Sequence, residues 1–179
     1  MSRRNENRAA TRRLPLDAAR LQTLAISYVG RYATTRAKLA RYLSRKIAEN
    51  GWEGEGAPPV EAIVARCAAL GYVDDAAFAA ARGAALGRRG FGARRIGQAL
   101  HAAGIDADDA APVCAAARET ALEAALLYAR RKRIGPFAQS PADPDRRRRA
   151  LAAMLRAGHP LDIARRVTDA AIGTSLDEE

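Results

Sequence analysis

The side chains of this sequence best suited to chemistry are its arginines and lysines, which gather in short runs. Arg36, Lys38, Arg41, Arg45 and Lys46 follow Arg31, and no acidic residue lies between Arg31 and Lys46, so ion pairing along a helix does not account for that cluster. Guanidinium forks and ammonium groups at this density suit the phosphates or carboxylates of a polyanion. Arg146, Arg147, Arg148 and Arg149 form a second run. They fall where a helix begins, cations there oppose the helix dipole, and some of the four are expected to turn inward or sideways. The run from Arg130 to Arg133, in which Arg130 and Arg131 are the leading candidates for binding, falls near a helix C-terminus, where the dipole favours cations and a stabilising role competes with binding. Arg88, Arg89, Arg94 and Arg95 flank Gly90-Phe91-Gly92. Such a turn can offer backbone N–H groups to a phosphate, but a plain helix–helix turn is the stronger explanation of its glycines.

Other chemistries find less support. Asp74 and Asp75 are adjacent carboxylates, but no His, nucleophile or metal cluster accompanies them, so they are read as a helix N-cap and a first-turn acid. Tyr72 and Phe78 bracket that cap as a hydrophobic staple and are expected in the core, where Phe78→Ala would cost about 3–5 kcal/mol. His101 and His159 stand apart from each other and from Cys67 and Cys114, which removes any metal-ligand spacing, and the two cysteines read as small buried hydrophobes. Gly54-Glu55-Gly56 follows no strand and is only an accidental fragment of a nucleotide motif. Trp52, in a Gly-rich loop, is open to two readings: stacking on a base, or packing over a junction. No catalytic constellation can be assembled, so the chain is expected to be no enzyme and to need no cofactor.

The elements that position these groups are helical. Of the 179 residues 49% are hydrophobic, mostly through alanine, whereas aromatics make up 5%, a balance that favours helix over sheet. Net charge is +10, which excludes an acidic DNA mimic and attracts nucleic acid or an acidic protein surface. The first fifty residues hold 12 Lys+Arg against 3 Asp+Glu, so the field arises mainly there. No apolar run approaches the roughly 18 residues of a membrane span. A cytosolic monomer without membrane contact is therefore expected.

Apolar periodicity and punctuation predict nine helices between a disordered basic tail (1–14) and an acidic tail (174–179). Helix one covers about 16–32. Thr34-Thr35 caps helix two, Pro59 opens helix three, Gly71 stops it and Asp74 caps helix four. Gly90 and Gly92 precede helix five, Gly104 ends it, and Asp106 caps helix six. Helix seven spans about 118–132, Asp143-Pro144 starts helix eight, and Gly158-His159-Pro160 separates it from helix nine. The order Ile96, Leu100, Gly104, Val113 returns 54 residues later as Ala150, Met154, Gly158, Val167, and Leu39 and Leu43 precede the first pair by 57. Such a recurrence predicts three tandem three-helix repeats, 15–70, 71–117 and 118–173, each burying its apolar face against a neighbour.

The stretch Gly71-Tyr72-Val73-Asp74-Asp75-Ala76-Ala77-Phe78-Ala79 resembles a hallmark of the RecX family. Gly90-Phe91-Gly92-Ala93-Arg94-Arg95-Ile96 followed by Leu100 and Gly104-Ile105 is similar to its second signature. Thr35-Arg36-Ala37-Lys38-Leu39 with Leu43, Arg45 and Lys46, and the block from Arg146 to Leu155, resemble its first and third repeat helices. The likeness spans about residues 18–172. Two features depart from it: His159-Pro160 stands where the family commonly has an aromatic after the Gly, and a Gly-rich insertion surrounds Trp52. The resemblance implies an all-α, elongated and curved stack of three-helix repeats that lies in the groove of a RecA filament on single-stranded DNA. It further implies that the protein limits filament growth, ATP hydrolysis and strand exchange, its basic residues meeting DNA phosphate or acidic RecA surface. A helix-turn-helix regulator of transcription is the alternative. Helix two offers almost only Arg and Lys, however, which favours phosphate contact over base reading.

Overall fold

The computed structural model describes residues 14–176, and its regular elements are helices. Nine α-helices occur among the described residues: α1 (Ala18–Val29), α2 (Arg36–Asn50), α3 (Val60–Ala69), α4 (Asp75–Gly87), α5 (Ala93–Ala103), α6 (Ala107–Glu119), α7 (Ala121–Lys132), α8 (Pro144–Arg156) and α9 (Leu161–Asp169). A 3₁₀ turn, Gly135–Phe137, joins α7 to α8. The protein is thus all-α. The basic tail expected at 1–14 lies outside the described residues except for Leu14, and so does the end of the acidic tail, 177–179.

Side-chain chemistry sets the helix starts. Asp17, Thr35, Asp106 and Asp143 each accept a hydrogen bond from the backbone N–H three residues on, at 2.7, 3.2, 2.9 and 2.7 Å, satisfying donors that the first turn leaves orphaned. At the other end of a helix, Gly104 closes α5 in the left-handed conformation at φ 79°, which a residue without Cβ adopts freely.

The chain divides into two compact units with the boundary between Asp74 and Asp75. In the first, α1, α2 and α3 enclose Leu21, Ala25, Leu39, Leu43, Ile63, Val64 and Cys67. The Gly-rich loop after α2 is tied to this core. The Leu16 N–H donates to the Gly51 carbonyl and the Glu53 N–H to the Leu16 carbonyl, both at 3.0 Å, while the half-buried Trp52 ring packs on the core and donates from Nε1 to the Gly56 carbonyl at 2.9 Å. Of its two readings, packing prevails, within the first unit.

The second unit holds two apolar clusters. Ala79, Leu86, Ile96, Leu100, Ala103 and Ile105 lie among α4, α5 and α6, and Leu122, Ala125, Ala129, Met154, Ala164 and Val167 among α7, α8 and α9. Their meeting point is the turn Gly90-Phe91-Gly92. Its Gly92 N–H donates to the Ala157 carbonyl at 3.0 Å, and a Cβ on Gly92 would fall 2.4 Å from the Gly158 carbonyl oxygen. The Phe91 and Tyr128 rings lie 6.2 Å apart and the Tyr128 and His159 rings 5.6 Å.

Among the signature residues, Ile96 and Leu100 are buried and α4 begins at Asp75, which places Asp74 at the cap position. Two expectations are corrected. Tyr72 is 54% exposed, and Phe78 is only half-buried against the α4–α6 cluster. For Tyr72 the cause is the turn that ends α3: Gly71 sits at φ 72°, its N–H donates to the Ala68 carbonyl and that of Tyr72 to the Cys67 carbonyl, and the chain then directs Val73 rather than Tyr72 into the core.

Candidate functional site

In α2, burial of Leu39 and Leu43 fixes the helix rotation and leaves Arg36, Arg41 and Arg45 exposed, with Lys38 and Lys46 half-buried beside the core. Arg31 is exposed in the turn between α1 and α2. Helix pairing, not expected in this cluster, does operate at its C-terminal end. Glu49, just beyond the acid-free stretch, pairs with Lys46 at 2.7 Å and Arg45 at 3.6 Å, since positions three and four apart share one helix face.

Sequence reasoning overlooks the aromatic company of these cations. The Tyr28 ring of α1 stacks on the Tyr42 ring of α2 with centroids 4.1 Å apart and planes at 16°, and Tyr32, one helical turn beyond Tyr28, lies 5.3 Å from it. The Arg45 guanidinium and the Lys46 ammonium stand 5.6 and 5.9 Å from the Tyr42 centroid. Periodicity alone assigns Tyr28 and Tyr42 to apolar stripes and goes no further. The signal that could have found the group is the placing of three of the five tyrosines within fifteen residues of the most basic stretch.

All four arginines of the α8 run are exposed, so of the two expected dispositions none turns inward and the contacts that they make run sideways. Local acids and acceptors answer the helix dipole instead. Asp143 caps the helix and Asp145 occupies its first turn, where it receives Arg148 at 3.0 Å; Arg149 donates to the Asp145 carbonyl at 3.2 Å and Arg146 to the Ser140 hydroxyl at 3.3 Å. Arg147 lies 3.9 Å from Asp169. Arg146, Arg147 and Arg149 line a cavity of about 660 Å³ together with Lys132 and Arg133. From the end of α7, therefore, the structure brings Lys132 and Arg133 to this basic recess. The other two members of that run, Arg130 and Arg131, are exposed outside its lining, with Arg130 5.0 Å from the centroid of Phe137.

The turn after α4 offers no anion nest. Gly90 N–H donates to Gly87, Phe91 N–H to Leu86 and Gly92 N–H to Ala157, so these donors are already used. Arg88, Arg89, Arg94 and Arg95 are all exposed by area, but they differ in engagement: the Arg94 guanidinium donates to the Leu155 carbonyl, and Arg89 stands 5.1 Å from the Phe91 centroid. Arg94 thereby acts as a structural tie between α5 and the end of α8.

His159 is buried beside this turn, and neither ring nitrogen makes a well-formed hydrogen bond, the Gly90 backbone being a weak partner at best. Burial holds its pKa below the ordinary 6.5, and the nearby Gly90 backbone offsets part of the shift. Burial likewise raises the Cys67 thiol above its usual value, with Arg66 opposing, which suits an inert core residue. Among the described residues no group of three or more His, Cys, Asp or Glu could hold a metal ion, and no helix is long and apolar enough to cross a membrane.

Comparison with known proteins gives a consistent answer. No protein-family model matches the chain. A regulatory protein RecX of Myxococcus xanthus is 36% identical over 157 residues, covering 83% of this chain and 84% of that protein. Among solved structures, RecX from Lactobacillus salivarius superposes with a TM-score of 0.61 at 15% identity over 85% of this chain and 94% of its own. A second RecX crystal structure gives 0.59 at 21% identity, over 85% and 73%. Both structures share the fold.

Proposed function

The chain belongs to the RecX family, and from that premise we propose that it is a regulator of RecA which binds the RecA filament on single-stranded DNA and limits its extension, ATP hydrolysis and strand exchange. The observation that carries this reading is the 36% identity to a regulatory protein RecX across 83% of the chain. Charge and burial are in keeping with it. Nine of the ten net positive charges reside in the first fifty residues, and Arg31, Arg36, Arg41 and Arg45 are exposed there. Cations held on a rigid helix face can meet phosphates or acidic side chains without first being ordered.

In this reading the contacts are made by Arg31, Arg36, Lys38, Arg41, Arg45 and Lys46 in the first unit. In the second they are made by Arg88, Arg89, Arg95, Arg130, Arg131 and the arginines at the start of α8, Arg94 being set aside from the expected group because its guanidinium is bonded to the Leu155 carbonyl. Three apolar clusters, on α1–α3, α4–α6 and α7–α9, support the further reading of the chain as three successive three-helix repeats. The protein acts in the cytoplasm, where RecA and its DNA are found.

The test is a titration of purified protein into a RecA ATPase assay on single-stranded DNA, with a DNA-only binding control at matched salt. Inhibition is expected well below the concentration that coats free DNA. Replacing Arg36, Lys38, Arg41 and Arg45 by Glu should weaken it at least tenfold with helicity unchanged. Wild-type potency in that variant would remove the α2 face from the mechanism, and no effect of the wild-type protein on the ATPase would refute the proposal.

A further inference from the structure

The tyrosines between α1 and α2 form a feature that core packing explains only in part. Tyr28 and Tyr42 pack against the first unit's core, but Tyr32 is 58% exposed, with its ring beside that of Tyr28. Tyr28, Tyr32 and Tyr42 line a cavity of about 460 Å³, and the cations at its walls are Arg31, Arg45 and Lys46. Arg45 and Lys46 are also paired to Glu49, so the recess keeps a net positive charge.

We propose that this recess is a stacking subsite for an unpaired nucleobase, with Tyr32 as the open ring and Arg31, Arg45 and Lys46 meeting the adjoining phosphates. The inference rests on the reading that the protein works on single-stranded DNA, and adds to it a site that senses bases rather than backbone charge alone. Two properties of the recess select this ligand. Its aromatic faces favour a partner with a π face, and a base stacks on such a ring whatever its identity. Its three cations repel an arginine or lysine that would otherwise sit over the rings, and attract an anion. A nucleotide of a single strand combines the π face with the negative charge; an acidic peptide has the charge without the ring, and a duplex keeps its bases stacked inside. The Tyr28–Tyr42 stack fixes the floor of the recess before a ligand arrives, so little side-chain freedom is lost on binding.

The experiment measures anisotropy of the full-length protein with labelled oligo-dT, with an abasic strand of equal length and with a duplex, at several salt concentrations. Wild-type protein should bind oligo-dT more tightly than the abasic strand. Tyr32→Ala should weaken oligo-dT binding roughly 5- to 150-fold, the range for one base–aromatic stack, while leaving abasic binding and the salt slope as they were. Tyr32→Phe, which keeps the ring, should bind as wild type. Equal wild-type affinity for abasic and base-bearing strands, or an undiminished Tyr32→Ala, overturns the stacking site; inhibition of the RecA ATPase that still depends on the α2 cations would leave the proposed function standing. A Tyr32→Ala protein that binds oligo-dT normally but loses binding to DNA-free RecA would assign the recess to a protein surface and overturn the inference as well.

Discussion

Replacing Gly92 by Ala tests the backbone contact that joins the two clusters of the second unit. Gly92 has φ −78° and ψ 166°, values that alanine adopts without strain, so the substitution carries no conformational penalty of its own. The cost is steric: the new Cβ would lie 2.4 Å from the Gly158 carbonyl oxygen, 2.6 Å from its carbon and 2.9 Å from the His159 nitrogen. All three are backbone atoms and cannot rotate away. Ordinary C···O contact needs about 3.3 Å, so the two segments must part by about 1 Å. That movement strains the packing, at about 1–3 kcal/mol, and stretches the 3.0 Å bond from the Gly92 N–H to Ala157, worth about 1 kcal/mol. A loss near 3 kcal/mol corresponds to a fall in Tm of roughly 6–12 °C for a chain of this size. Gly87 supplies the control five residues away. A methyl group added there would meet nothing within 4 Å, and Gly87 ends α4 without a positive φ, so Gly87→Ala should stabilise by about 0.5–1 kcal/mol. Calorimetric melting of both variants decides the matter, and a Gly92→Ala protein that melts within about 1 °C of wild type would refute the reasoning.

Three further outcomes are expected. In urea denaturation, Leu100→Ala should cost about 3–5 kcal/mol, Phe78→Ala about 2 kcal/mol and Tyr72→Ala under about 0.5 kcal/mol, following their burial; a larger loss at Tyr72 than at Phe78 would contradict the packing around Gly71. The depressed pKa of His159 makes the unfolded chain take up a proton first, so stability is fully present above about pH 6.5 and falls on acidification toward the lower folded value. His159→Leu should flatten that part of the pH profile, and an unaltered profile would clear His159 of responsibility. Arg94→Ala should lower stability by about 1 kcal/mol through loss of the bond to the Leu155 carbonyl, whereas Arg95→Ala, lacking such a bond, should leave it nearly unchanged; equal effects would argue against the tie.

Local rules, read from the sequence, determined a great deal here. Caps at Thr35, Asp106 and Asp143, stops at Gly71 and Gly104 and the stripe through Leu39 and Leu43 each depend on residues within one or two turns, and so could be located without coordinates. The same locality made the basic runs visible and carried the likeness to the RecX family. Contacts between distant segments belong to the tertiary structure. It alone decided that Arg94 is spent on the end of α8, that Lys132 and Arg133 rather than Arg130 and Arg131 join the α8 arginines, that Tyr72 faces outward, and that Tyr28 meets Tyr42 across two helices. The physical reason is that helical periodicity assigns a residue to a face, while the rotation and approach of the next helix decide what that face meets.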